Sequence, residues 1–244
     1  MYYKVCLTTK INPTKIKEGS GILVIEPDDY KDNEIKQLKN KGYKVLAYLS
    51  VGTIEKERSW FNTYSKYKLK QLEDWPNEYY INITKTAWKN FLIKRAITLS
   101  KRGFSGLWLD NIDIYSEYHS KKMYTACYGI IKALKSYSKG YIMLNGGSEF
   151  LDDTIDNKIS LNIIDGYTQE EVFSNITNYS GTGTFGKQNS NDKKFYKTLI
   201  KKLIKKQIDC FLLEYTKDKI LKNDIKTWCK NNKVNYYISE KVNL

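Results

Sequence analysis

Short apolar and aromatic runs recur along the whole chain, and lysine-rich amphipathic stretches separate most of them. The runs are YKVCLT (3–8), GILVIEP (21–27), KVLAYLSVG (44–52), EYYINIT (78–84), GLWLDN (106–111), YIMLNGG (141–147), IDGYTQE (164–170), CFLLEYT (210–216) and NYYIS (235–239). Each is rich in β-branched or aromatic residues and short enough for a strand. The stretches between them include TKTAWKNFLIKRAITLSKRG, MYTACYGIIKALKSYSKG and DKKFYKTLIKKLIKKQ, which carry helical spacing. Two of these close on Arg-Gly or Lys-Gly just before a strand, the usual punctuation of a helix C-terminus. Strand and helix alternating to the end predict a parallel sheet with right-handed crossovers. Nine runs for eight places fit a single-domain (β/α)8 TIM barrel over residues 1–244, with one accessory strand at a terminus. A doubly wound sheet is the alternative. Its dinucleotide-binding form fits poorly, because no G-x-G-x-x-G follows an early strand. The most irregular segment, 174–192, is long for such a connection and is expected to lie over the barrel mouth.

The strand ends carry the chemistry. GILVI runs into Glu26 and Asp28, and VLAYL into Ser50, Val51 and Gly52 with Glu55 beyond. GLWL runs into Asp110, Asn111 and Asp113, YIML into Asn145, and IDGYT into Gln169, Glu170 and Glu171. FLL runs into Glu214, Tyr215 and Thr216. In a parallel barrel these ends share one face, the C-terminal mouth where barrel enzymes keep their sites. Each residue also has an ordinary reading. Asp110 and Asn111 suit a helix cap, Asn145-Gly146-Gly147 suits a tight turn with positive φ, and Trp60, Trp75 and Trp108 read more readily as core than as sugar platforms. Asp110-Asn111-Ile112-Asp113 lacks the spacing of a calcium loop. The convergence of six strand ends is the specific signal.

Composition narrows the chemistry further. His119 is the single histidine, so multi-histidine metal sites are excluded and neither a metal nor a cofactor is expected. Cys6, Cys127, Cys210 and Cys229 form no C-x-x-C pair, and Cys6 and Cys210 sit in strand-like runs as buried thiols. The net charge is +14, but the lysines fall mostly on solvated helix faces, so nucleic acid is a poor partner. No run approaches the roughly 20 apolar residues of a membrane span. The start MYYKVCLTTK has no signal-peptide core, which reads as cytoplasmic for the chain as given and secreted if a leader was removed.

A mouth with several acids, amides and aromatics and no histidine suits glycoside hydrolysis. One carboxylic acid protonates the leaving oxygen, and a second carboxylate attacks or activates water. At these residues the chain resembles glycoside hydrolase family 114, the endo-α-1,4-polygalactosaminidase group of TIM barrels. KVLAYLSVGTIE is similar to the family's Tyr-x-Ser-Val-Gly strand followed by an acid. GFSGLWLDNIDIY is similar to its Gly-Phe-x-Gly block ending in Asp-Asn-x-Asp. YIMLNGG, IDGYTQEEVF and, more weakly, FLLEYT follow in family order. The resemblance implies a retaining hydrolase of an α-linked galactosamine or N-acetylgalactosamine polysaccharide, with Asp110 as nucleophile and Glu170 as acid/base. It implies that Tyr48, Ser50, Asn111, Asp113, Asn145 and Glu214 shape sugar subsites. Glu26 stands where the family usually has Asp, and Gln169 where Asn is more common. Glu171 is a competing acid that a straight strand would point away from Glu170.

Two rivals stay open at this level. A non-catalytic glycan-binding barrel is favoured if the two carboxyls lie well beyond about 10 Å apart. A binder of nucleic acid or anionic surfaces requires lysines on one continuous face. The positive net charge would also repel a cationic polymer unless the mouth itself is acidic.

Overall fold

The computed structural model describes residues 2–244. Its centre is eight parallel strands: β1 Tyr2–Cys6, β2 Gly21–Ile25, β3 Tyr43–Ser50, β4 Gly106–Asp110, β5 Tyr141–Asn145, β6 Gly166–Glu170, β7 Asp209–Tyr215 and β8 Asn235–Ser239. They hydrogen-bond in chain order, and β8 lies against β1, so the sheet curls into a nearly closed barrel. Around it run α1 Asp32–Asn40, α2 Thr86–Lys101, α3 Lys121–Ser138, α4 Ser148–Asp156, α5 Ser190–Lys205 and α6 Lys219–Asn232. This is the predicted (β/α)8 TIM barrel, with a helix-free crossover between β1 and β2.

The strands read as unbroken apolar runs because both of their faces are buried. Val5, Val24, Leu46, Trp108, Met143, Phe211 and Leu213 fill the barrel interior. The alternate residues Leu23, Val45, Leu107, Leu109, Leu144 and Leu212 meet the helices. The polar groups of Tyr3, Trp108 and Thr168, buried in the interior, are paired, as burial requires. Tyr3 OH lies 2.9 Å from Thr168 Oγ1, and Trp108 Nε1 donates to the same oxygen at 3.3 Å.

Two connections differ from expectation. EYYINIT is the accessory strand, but it is internal. Glu78–Ile81 pairs antiparallel with Thr53–Glu55 and Lys68–Gln71 inside the β3–β4 connection. Its first three residues are only half-buried, which a strand covered on both faces cannot be. The segment 174–192 is not an irregular loop. It folds as an antiparallel hairpin, Ser174–Asn178 with Thr184–Lys187, before α5 begins. Helix ends also vary. Gly42 (φ 95°) and Gly103 (φ 93°) take the left-handed turn, whereas after α3 Lys139 (φ 54°) takes it in place of Gly140.

Candidate active site

The interior rows of side chains continue upward to the mouth. Alternation along each strand places Asp110 above Trp108, Asn145 above Met143, Glu170 above Thr168 and Tyr215 above Leu213. Asn145 is the junction. Its Nδ2 donates to Asp110 Oδ1 at 2.9 Å and to Glu170 Oε1 at 2.5 Å. Tyr215 OH donates to Glu170 Oε2 at 2.5 Å. Because one nitrogen holds both carboxylates, the two bonded oxygens lie no farther apart than the two lengths together, about 5.4 Å.

Burial sets the proton affinity of the pair. Desolvation first, and then the Glu170 charge, push Asp110 up from 3.8 to about 7, against the Asn145 and Asn111 N–H donors. Desolvation likewise pushes Glu170 up from 4.5 to about 7, against Tyr215 and Asn145, with Glu171 and Asp113 adding to the rise. Two carboxyls held through one amide in a dry site cannot both ionise freely, so near neutrality the pair retains a proton.

The chain turns sharply after each of these residues. Asn111 (φ 62°), Gly146 (φ 66°) and Glu171 (φ 57°) are all left-handed. A Cβ on Gly146 would lie 2.3 Å from Asp113 Oδ2, so this turn needs glycine for both conformation and space. Asp113 accepts the Gly147 N–H at 2.9 Å. It occupies the N-cap position of the short helix Ile114–Glu117 but makes no side-chain cap bond. Asp110 and Asn111 do not cap it either, so the capping reading of this block does not describe its geometry.

Behind Asp110 lies a polar layer. Asn111 Nδ2 is 3.0 Å from Ser50 Oγ, 2.9 Å from Thr53 Oγ1 and 3.2 Å from Glu78 Oε1. Glu78 comes from the accessory strand, and burial pushes it up to about 7. Arg58 clamps Glu55 through two bonds of 2.9 and 2.8 Å and reaches Glu26 at 2.9 Å. Burial works against the Arg58 charge, but Glu26 and Glu55 hold it in place. Tyr48 lies beside Asp110, and desolvation followed by that negative charge raises its hydroxyl.

These residues open onto a cleft of about 920 Å³, at the upper end of ordinary ligand pockets. Of the sequence-predicted residues, Glu26, Tyr48, Asp110, Asn111, Asp113, Asn145 and Glu170 line it. Ser50 sits behind Asn111. Glu214 is fully buried on the helix side of β7, where it accepts the Phe173 and Ser174 N–H groups and the Ser174 hydroxyl. It orients the β6–α5 connection rather than facing the cleft. Sequence reading passed over Glu78, whose strand was not placed at the mouth. It placed Tyr215 at a strand end but gave the sugar-binding role to Glu214, although alternation along FLLEYT sets Tyr215 inward once Glu214 faces outward. Trp108 is core as expected, whereas Trp75 stands 42% exposed on the rim.

The wall is acidic. Among the described residues, Glu26, Glu55, Glu57, Asp74, Glu78, Asp110, Asp113, Glu170, Glu171 and Asp192 line the cleft against one cation, Arg58. The excess of lysine therefore lies elsewhere on the molecule. His119 also lies off the cleft and bonds Tyr115 OH at 2.7 Å. All four cysteines are buried free thiols. Among the described residues no helix is long and apolar enough to cross a membrane.

The family model for glycoside-hydrolase family GH114 matches residues 2–241. The glycoside hydrolase domain of PelA from Pseudomonas aeruginosa superposes with a TM-score of 0.81 at 17% identity, covering 97% of this chain and 93% of that one. Aspergillus fumigatus Ega3, solved in complex with galactosamine, gives 0.76 at 17% identity over 99% and 91%. At such identities the likeness is one of fold. An uncharacterized protein of Methanocaldococcus jannaschii is 26% identical over 165 residues, 61% of this chain and 47% of that protein. One of Thermotoga maritima is 27% identical over 104 residues, 41% and 31%. The chain thus spans less than half the length of these curated relatives.

Proposed function

The chain belongs to glycoside-hydrolase family GH114, and from that premise we propose that it is a retaining endo-hydrolase of an α-linked galactosamine-type polysaccharide. The observation that carries the proposal is the shared amide of Asn145, which keeps the oxygens it bonds on Asp110 and Glu170 within about 5.4 Å of each other. Retaining glycosidases hold their carboxyls about 5–5.5 Å apart, and inverting enzymes leave about 6.5–9.5 Å for a water. A merely recognising barrel has no use for so tight a pair.

Asp110 attacks the anomeric carbon while Glu170 gives its proton to the glycosidic oxygen, and the leaving chain departs with that proton. A covalent glycosyl–Asp110 ester remains. Glu170, now a carboxylate, takes a proton from water, and the hydroxide displaces Asp110 with a second inversion. The raised proton affinity of Glu170 suits the first step. Asp110 must be ionised to attack, and Asn145 and the Asn111 N–H favour that form. An ammonium group on the bound sugar favours it further, because an opposite charge lowers a carboxyl's proton affinity.

The ten acids of the cleft support a cationic, at least partly deacetylated chain as substrate. They draw such a polymer into the mouth of a protein whose overall charge of +14 would repel it. Galactosamine is the sugar held by Ega3 in its complex. The test is reducing-end release from galactosamine and N-acetylgalactosamine polymers by the wild type and by Glu170→Gln. Release by the wild type and its loss in the variant is the expected result. Undiminished release by Glu170→Gln overturns the assignment.

A further inference from the structure

Two connections from different parts of the barrel meet above the cleft. Residues 72–77 join Lys68–Gln71 to Glu78–Ile81 in the β3–β4 connection. Their base is pinned by the Leu72 N–H on the Glu78 carbonyl and the Glu78 N–H on the Trp75 carbonyl, each at 2.9 Å. The turn presents Trp75, which is 42% exposed. From the β6–α5 connection, the hairpin Ser174–Asn178 with Thr184–Lys187 carries Tyr179. The two ring centroids are 5.7 Å apart at an interplanar angle of 71°, an edge-to-face contact. Both rings line the same cleft as Asp110 and Glu170.

This contact is a poor device for stability alone. It joins two loop tips and leaves a large part of a tryptophan in water, which folding gives no reason to keep. Beside each ring stands an acid, Asp74 next to Trp75 and Glu171 opposite it. Among the described residues neither has a lysine or arginine at ion-pair distance. The two charges sense one another. After burial, Asp74 is the leading charge that raises Glu171, and both acids raise the Tyr179 hydroxyl.

We propose that Trp75 and Tyr179 form an aromatic arch that clamps a polysaccharide chain over the cleft, a saccharide-stacking subsite built on loops rather than strand ends. A pyranose offers an apolar C–H face to such a ring, while its polar edge stays free for the cleft wall. Asp74 and Glu171 receive the ammonium groups of the sugars stacked there. This charged half rests on the amino-sugar reading above; the stacking half needs only a pyranose. The arch favours long chains, because a chain that spans both the strand-end site and the two rings gains both sets of contacts.

The test compares wild type with Trp75→Ala, Tyr179→Ala and Trp75→Phe on a long galactosamine polymer and on a short oligomer. The alanine variants are expected to raise KM for the polymer about tenfold, the upper range of one aromatic stacking contact. The same variants should leave kcat within about twofold and KM for the oligomer unmoved. Trp75→Phe should restore most of the loss, which a merely structural role would not require. An unchanged polymer KM, or an equal rise on both lengths, overturns the arch. A second arm titrates the Glu170→Gln protein, with and without Trp75→Ala, with galactosamine polymer and with its N-acetylated form, following tryptophan fluorescence. If the wild type cleaves neither polymer, the substrate reading fails, and this arm still decides the arch. Tenfold weaker binding on loss of Trp75 supports it; equal binding, or none, overturns it. Equal affinity for the two polymers overturns the role of Asp74 and Glu171.

Discussion

Replacing Asp110 by asparagine is expected to abolish cleavage and to stabilise the fold as the pH rises. The folded protein holds Asp110 at about 7 against an ordinary 3.8, chiefly by burial and secondly through Glu170. The folded state thus binds this proton more tightly than the unfolded chain. Stability from the group is fully present below the ordinary value and is lost as pH climbs through about 7. At about 1.36 kcal/mol per pH unit, wild type loses about 4 kcal/mol relative to Asp110→Asn between about pH 4 and pH 8. That is an upper limit, because Glu170 takes up part of the released proton. Asparagine keeps the side-chain shape and still offers an oxygen to Asn145, so the change introduces no cavity. With about 2–4 °C per kcal/mol for a chain of this size, the Tm gap widens by about 10 °C over that range. Thermal unfolding of both proteins, followed by circular dichroism at closely spaced pH values, measures it. A gap independent of pH, or one that narrows as pH rises, refutes the reasoning.

Other consequences can be checked on the same protein. Asn145→Ala removes the donor that stabilises both anions, so the acid limb of kcat/KM should move to higher pH and kcat fall about 10- to 100-fold, as for a charge-assisted hydrogen bond. Glu78→Gln keeps an acceptor for Thr53 and Asn111 but removes a charge that interacts with Asp110. A pH–rate profile should show its acid limb displaced to lower pH. Lys139→Gly and Lys233→Gly relieve left-handed non-glycine residues at φ 54° and 56°, and each should add about 1 kcal/mol in chemical denaturation. KM for a cationic polymer should rise with salt as the acidic cleft is screened. A KM that falls or stays flat would count against electrostatic capture.

Much of the site was legible because it obeys local periodicity. A strand buried on both faces must place its polar residues at its ends, so GLWLDN, YIMLNGG and IDGYTQE announced Asp110, Asn145 and Glu170 before any fold was known. Alternation could also have separated inward Tyr215 from outward Glu214, since the two are consecutive and cannot share a face. Reading the strand end as one polar cluster lost that distinction. The position of Ser50 behind Asn111 is not legible in the sequence, because nothing local shows that Asn111 turns left-handed and bonds it.

The sequence by itself determined the order of strands and helices, the barrel they build and the chemistry of its rim, because these follow from short-range patterns of burial. Only the tertiary structure decided which distant groups meet. Arg58 bridges Glu26 and Glu55, Glu78 arrives behind Asp110 from an internal strand, and Asn145 spans the two carboxylates. It also gathers ten acids into one cleft of a chain with net charge +14 and brings Trp75 against Tyr179. The physical reason is that such contacts depend on the path of the long β3–β4 and β6–α5 connections. That path is set by packing between segments remote in sequence, which no local periodicity encodes.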